Sequence, residues 1–442
     1  MIDAGNHSVP LHTARHKRTL SLYRWYVLAL LWAVALLRFV DLQILAVLLE
    51  PIKAEFHLSD TELSLLGGLA FALFYGTLGL PVAWLADRYS RRNIIAFAVA
   101  LWSLMTALCG QAGSFFWLFL ARMGVGIGEA GAYPPSTSLL ADYFRPQQRG
   151  LACAILASAI PVGVFVGFMV GGVVAQHSGW RAAFGLVGLP GVVLGLLVFL
   201  SVREPRRGSH DDTKSEDLPQ EPFMTSVRIL WQNKPYRHVV MGACLFTLGA
   251  AGSGVWIPSY FIRFHGLSSA EVGIWMAVLY GGGGLLGALS SGWLAERAGT
   301  VRKDGLGKSR LCCYSLICCL PLLPLIFLNP DPRLALGYLF LMTVLMHMNT
   351  GPVLALLQQL AGCERRAMAH AISVLFSNLL ALPLGPMFVG LCSDHLGPRF
   401  GPGTLGWAIL ALLLGAWSCS AWHFHQATRA QGSAAAANRA IS

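Results

Sequence analysis

The 442-residue chain is 55% hydrophobic and only 12% charged, with a mean hydropathy of +0.59. Soluble domains carry about 25% charged residues, and 32 Lys and Arg with 21 Asp and Glu cannot clothe a water-facing surface over so much apolar sequence. This excludes an ordinary water-soluble enzyme, a nucleic-acid reader and a secreted disulfide scaffold, and it makes a bilayer the expected solvent.

At about 20 residues per spanning helix, the apolar runs predict twelve spans. Six lie near 24–49, 62–86, 93–112, 115–140, 149–176 and 181–202. Six more lie near 238–264, 271–296, 309–329, 333–361, 367–396 and 403–425. The expected organisation is a polar N-terminal tail (1–23), a six-helix bundle (24–202), a charged linker (203–237), a second six-helix bundle (238–425) and an Ala-rich tail (426–442) expected to be disordered. The basic stretch up to Arg24 has no small-residue cleavage site, so the first span is expected to serve as its own insertion signal. Cys312, Cys313, Cys318 and Cys319 have no His or carboxylate beside them and read as small packing residues. No metal or cofactor is expected.

Charge sets an expected orientation. With the N-terminus inside, cytoplasmic segments hold 25 of the 32 Lys and Arg, whereas outer loops hold five: Lys53, Arg181, Arg263, Arg333 and Arg399. That asymmetry follows the positive-inside rule and places both termini and the linker in the cytoplasm. The net charge of +11 is thus a topology signal rather than a sign of nucleic acid.

The two sets of spans repeat each other. Trp84-Leu-Ala-Asp87-Arg88 closes the second span, and Trp293-Leu-Ala-Glu296-Arg297 closes the eighth. Gly167, Gly172, His177, Gly179 and Arg181 recur 218 residues later as Gly385, Gly390, His395, Gly397 and Arg399. Small-residue faces on spans five and eleven let helices approach closely in lipid, and both are expected at the interface of the halves. Gly307-Lys308-Ser309 looks like the end of a nucleotide-binding loop, but its first glycine would fall at Arg302 and no strand precedes it, so it is not one.

The most informative residues are four charges at membrane depth: Arg38 and Asp41 in span one, Arg122 and Glu129 in span four. Such groups are costly in hydrocarbon and normally line a cavity in mutual contact. Each pair shares a helical face, and the four charges sum to zero. A purely structural bridge between spans one and four is the competing reading, but a buried ion pair is a poor stabilising device. Asp41 and Glu129 are therefore expected to exchange protons, and Arg38 and Arg122 to meet the substrate. The second half offers Trp256 and Tyr260 in span seven, His347 and Asn349 in span ten, and Asn378 in span eleven as cavity candidates. Asp87, Arg88, Arg91 and Arg92, with Glu296 and Arg297 in the repeat, are expected to latch the cytoplasmic side in one state.

Ala83-Trp-Leu-Ala-Asp87-Arg88-Tyr-Ser90-Arg91-Arg92 resembles the signature between helices two and three of the major facilitator superfamily, with Ala83 and Ser90 at its two glycine positions. Arg122-x-Gly-Val-Gly-Ile-Gly-Glu129, Glu50-Pro-Ile-Lys53, Gly179-Trp-Arg181 and Ser393-Asp394 resemble its spinster-type branch. The resemblance implies an all-α membrane protein, with 12 transmembrane helices in two pseudo-symmetric six-helix bundles. It also implies a secondary transporter of the bacterial inner membrane, proton-coupled, with a lysophospholipid-like or sphingoid substrate. Export of drug-like or organic-anion compounds is the alternative. The spinster branch usually reads Asn-x-x-Asp-Arg in helix one, whereas here Arg38-Phe-Val-Asp41-Leu42 carries the positive charge one turn earlier. The expected partners are a small amphipathic or anionic substrate, protons and membrane lipids, with no nucleic acid, and the protein is taken as a monomer. A membrane enzyme would need a nucleophile–base or metal motif, of which the sequence has none.

Overall fold

The structure is a computed structural model that describes residues 11–207, 223–302, 306–362 and 365–441. Ten of its helices are long and apolar enough to cross a membrane. Twelve spans result because Pro146–Ser201 holds two of them, broken at Gly179, and the fourth span is interrupted between Phe115–Glu129 and Tyr133–Tyr143. At Gly179 the backbone takes φ +83°, which an L side chain rarely adopts, while nothing crowds the position. Conformation, not space, calls for glycine at this corner.

The remaining spans are Leu11–Phe56, Asp60–Arg88, Arg91–Cys109, Lys234–His265, Ser269–Arg302, Gly307–Phe327, Pro332–Ala361, Arg366–Phe400 and Thr404–Ile441. The chain forms two six-helix bundles of the expected all-α kind, with the same course in each. One end of the molecule carries the first and last described residues, Leu11 and Ile441, and the residues that flank the connection between the halves, Arg207 and Phe223; it is called the terminal end below. The opposite end is the far end. A short helix, Phe223–Gln232, lies within the linker range. The expected disorder of the C-terminal tail is corrected: the last helix runs on to Ile441, because an Ala-rich segment has high helix propensity and needs no packing partner to continue a helix already nucleated.

Repeated local chemistry starts the matching spans. Ser59 and Glu62 form a reciprocal capping box at the start of span two, and Ser268 and Glu271 form another at span eight. Each box satisfies orphan amides of the first turn. The two boxes stand 209 residues apart, the same offset as the Trp84 and Trp293 motifs. Spans two, eight and eleven each contain a π-helical stretch, Leu65–Leu69, Ala277–Gly283 and Ser377–Ala381.

Small residues set how the halves meet. A Cβ on Gly172 of span five would fall 2.4 Å from the Ser269 carbonyl oxygen and 2.8 Å from the Gly273 Cα of span eight. Its repeat, Gly390 of span eleven, would bring a Cβ within 2.0 Å of Ser64 Oγ on span two. Both pseudo-equivalent positions therefore touch the opposite half. Other members of the small faces pack within a half: Gly163 and Gly167 lie against span one, and Gly385 lies against Leu248 and Gly252 of span seven.

Candidate functional site

Between the halves at mid-depth lies a cavity of about 380 Å³. The first half contributes Arg38 and Arg122 as its charged groups, with Phe71, Tyr75 and Phe168 as aromatic wall. The second half contributes Tyr280 and Asn378. Gly67 and Gly68, Tyr280 and Asn378 all lie in the π-helical stretches. Such stretches frequently mark functional sites, and here each one reaches the cavity wall.

The four intramembrane charges come together as a crossed arrangement between spans one and four. Arg38 Nε donates to Glu129 Oε2 at 3.0 Å, and Arg122 Nη1 stands 3.6 Å from Asp41 Oδ1. Thr106 Oγ1 of span three donates to Asp41 Oδ2 at 3.0 Å. The Arg38 guanidinium also lies 4.9 Å from the centre of the Tyr75 ring. Access to the cavity separates the roles, although all four groups are buried. Both arginines line the cavity, whereas Asp41 is 1% and Glu129 0% exposed, behind them. Glu129 Oε1, Asp41 Oδ1 and both Nε and Nη1 of Arg122 have no hydrogen-bond partner. Buried polar atoms are normally satisfied, so this network retains bonding capacity that the neighbouring side chains do not use.

The second half answers the expectation differently. Of its five candidates only Asn378 lines the cavity. Trp256 is fully buried and its Nε1–H donates to the Pro386 carbonyl at 3.0 Å. Tyr260 donates to the Phe327 carbonyl at 3.1 Å, on span nine. Asn349 Nδ2 donates to Ser315 Oγ at 2.9 Å, and His347 Nδ1 bonds the Thr343 carbonyl while its ring packs on Gly284 and Gly287 of span eight. These four belong to the inside of the second bundle: each bonds a group there and none lines the cavity, although Asn349 Oδ1 itself has no hydrogen-bond partner.

The far end is closed by a polar joint that sequence reasoning missed. Arg263 Nε lies 2.9 Å from both Glu50 oxygens, and its Nη1 and Nη2 donate to Asp60 at 2.6 and 2.8 Å. Lys53 also pairs with Asp60, and Ser393 Oγ donates to it at 2.6 Å. Asp394 accepts from the backbone amides of Asp60 and Thr61 at 2.9 and 2.7 Å, capping the start of span two from across the interface. Charges at span ends are expected in any membrane protein, which hid this set. The signal available was Glu50, Lys53, Asp60 and Arg263 flanking adjacent spans.

At the terminal end, the expected latch is held inside the first half. Arg91 is 2% exposed and pairs with Asp142 at 2.5 Å and Glu204 at 2.8 Å. Glu204 also accepts from Ser90 Oγ at 3.0 Å and from the Arg92 amide at 2.8 Å. Burial disfavours its charge, but the bonds from the Arg92 amide, Arg91 and Ser90 outweigh this and hold its pKa below the usual carboxylate range. Arg92 stacks over Phe199, Arg88 over Trp84 at 3.9 Å, and Arg297 over Trp293 at 5.1 Å. The side chains of Asp87 and Glu296 lie outside the described residues.

A family model described as Major Facilitator Superfamily matches residues 31–386. The chain belongs to the major facilitator superfamily. It is 34% identical over 395 residues to an MFS-type efflux pump of Mycolicibacterium smegmatis, covering 88% of this chain and 89% of that one. It is 26% identical to the sphingosine-1-phosphate transporter SPNS2 of Danio rerio, over 85% of this chain and 77% of that one. A crystal structure of a bacterial homolog to the human lysosomal transporter spinster, inward-facing and unoccupied, superposes with a TM-score of 0.82. It shares 26% identity and covers 92% of this chain and 97% of that one. This family member is spinster-like: a multi-pass membrane carrier of small substrates, not an enzyme.

Proposed function

We propose that this carrier works by alternating access and couples proton movement to transport of an amphipathic, anionic lipid-like substrate of lysophospholipid or sphingoid type. One observation carries the reading: two arginines face a cavity whose other lining is mainly apolar and aromatic, with Gln43 and Asn378 as its amides, and each arginine is backed by a buried carboxylate from the neighbouring span. With both carboxylates ionised the arginines are neutralised, and the cavity has little pull on an anion. Protonating Asp41 or Glu129 leaves a net positive wall, against which an anionic headgroup binds while its chain lies along Phe71, Phe168 and Tyr280. Proton and substrate then bias the same conformational equilibrium. The distribution of Lys and Arg supports an inner-membrane protein with both termini cytoplasmic, and the carrier is taken to act as a monomer. On that orientation the far-end joint of Arg263 and Asp60 is the periplasmic closure, and the described state faces inward.

Export of drug-like or organic-anion compounds is the second reading, favoured by the relative named an efflux pump. Ligand-induced thermal shift of the purified protein separates the two. Lysophospholipids and sphingoid phosphates are expected to stabilise it, and to lose that effect in Arg38→Ala. Stabilisation by short organic anions or cationic drugs with none by the lipids supports the second reading instead.

A further inference from the structure

Three glycines stand in the wall of the central cavity: Gly67 and Gly68 on span two, and Gly254 on span seven. The first two are packing positions. A Cβ on Gly67 would fall 2.9 Å from Val255 Cγ1, and one on Gly68 would fall 3.0 Å from the Leu382 carbonyl oxygen. At Gly254 no atom of the described residues lies within 4 Å of where a Cβ would stand. Its backbone is ordinary helix, without the positive φ that calls for glycine elsewhere in the chain. Neither close approach nor conformation explains this residue, and glycine is a poor helix former. In the cavity wall, its missing side chain is room for a ligand.

The matching position in the first half shows what is absent. Span one ends at Phe56 and span seven at His265, the same offset of 209 residues that relates the two capping boxes. At that offset Gly254 answers to Leu45, which lines the cavity from the first half. One half fills this level with a leucine side chain and the other leaves it open. Leu45 follows Arg38 by seven residues along span one, which places it about 10 Å nearer the far end. Ala46, Phe168, Val255 and Pro386 line the cavity around this level, and all are apolar. Beyond them the joint of Arg263 and Asp60 shuts the far end. The open level at Gly254 thus belongs to an apolar end of the cavity, set apart from the Arg38 guanidinium.

We propose that Gly254 is the residue that sets the length of apolar chain this carrier accepts: with an anionic headgroup on Arg38, the chain runs past the bare face of span seven into the apolar end of the cavity. The assignment rests on the amphipathic-anion reading given above. It adds a direction to that reading, with the headgroup towards the terminal end and the chain towards the far end.

Calorimetric titration of the purified full-length protein with hexyl, dodecyl and hexadecyl phosphate, at one detergent concentration, tests it. Partition of each probe into detergent is common to all variants, so the ratio of variant to native affinity isolates the site. Each buried methylene contributes about fourfold to affinity. Gly254→Leu fills the open level and should weaken hexadecyl phosphate by about tenfold or more. Hexyl phosphate, too short to reach Gly254 from Arg38, should stay within about twofold. Gly254→Ala should give a smaller loss with the same dependence on chain length. Gly337→Leu, at an exposed glycine of span ten whose Cβ would also meet nothing, should change no probe. If native protein binds the probes but Gly254→Leu weakens all three equally, or none, the role of Gly254 is overturned and the amphipathic-anion reading stands. If native protein binds none of them, both are overturned. Circular dichroism melting separates lost binding from lost fold, and Gly254→Ala, the better helix former, should melt no lower than the native protein.

Discussion

The two halves share a course, capping boxes and a glycine pattern, yet they treat polar groups at membrane depth in opposite ways. The first half keeps two Arg and two carboxylates there, crossed between spans one and four, with four of their atoms lacking hydrogen bonds. In the second half, Trp256, Tyr260, His347 and Asn349 all bond backbone or hydroxyl groups of their own bundle, and the one unpartnered atom among them, Asn349 Oδ1, lies away from the cavity. Unspent bonding capacity at the cavity is what a substrate or proton can exploit, and satisfied groups hold a scaffold rigid. The difference teaches that pseudo-symmetry of backbone does not imply symmetry of function.

The sharpest way to break this comparison is to unpair one side of the crossed network. Arg38→Asn strands the Glu129 charge, and removing one partner of a buried pair costs about 3–5 kcal/mol. Thermal melting should show that loss. Leu42, which lines the cavity, stands where the spinster branch places its arginine. Adding Leu42→Arg should restore most of the stability, and a double variant no better than Arg38→Asn contradicts the view that the charge has moved by one turn.

The joint between the halves comes next. Arg263→Ala removes two carboxylate partners at the far end. A cysteine placed at the buried Ser64, in a background without other cysteines, should then react with a membrane-impermeant maleimide about tenfold faster as the open population grows. Unchanged labelling would show that the glycine contacts alone keep the far end shut.

A smaller effect is expected at Glu204. Its carboxylate titrates below the ordinary value of 4.5 in the folded protein, so its contribution is present above that pH and is lost as pH falls through the lowered value. The melting temperature of Glu204→Gln should lie below that of the native protein at pH 7, and the two should converge under acid. Smallest of all, His347→Ala and Asn349→Ala should leave transport per folded molecule within about twofold, since neither side chain reaches the cavity.

Much of this contrast was legible in the sequence, and the reasons are physical. Arg38, Asp41, Arg122 and Glu129 stand out because a charge in an apolar run has few explanations. Which Arg meets which carboxylate was not legible, because spacing along one helix places residues on a face without naming the facing helix. The aromatic wall of Phe71, Tyr75, Phe168 and Tyr280 was hidden among many aromatics that face lipid or pack inside a bundle. His347 and Asn349 misled for a related reason: depth in the membrane says nothing about direction. The far-end joint escaped notice because its charges sit at span ends, where the topology already explains them. The all-α fold with twelve spans was legible because apolar segments of about twenty residues are the signature of membrane-spanning helices.

The central claim is that the buried carboxylates of the first half couple protons to transport. The most direct test is flux into proteoliposomes under an imposed pH gradient, with the substrate found by thermal shift, for the native protein, Asp41→Asn and Glu129→Gln. The account expects both variants to move substrate down its own gradient while losing the response to the pH gradient. If both retain native gradient-driven flux, the crossed network is structural and the coupling mechanism is wrong.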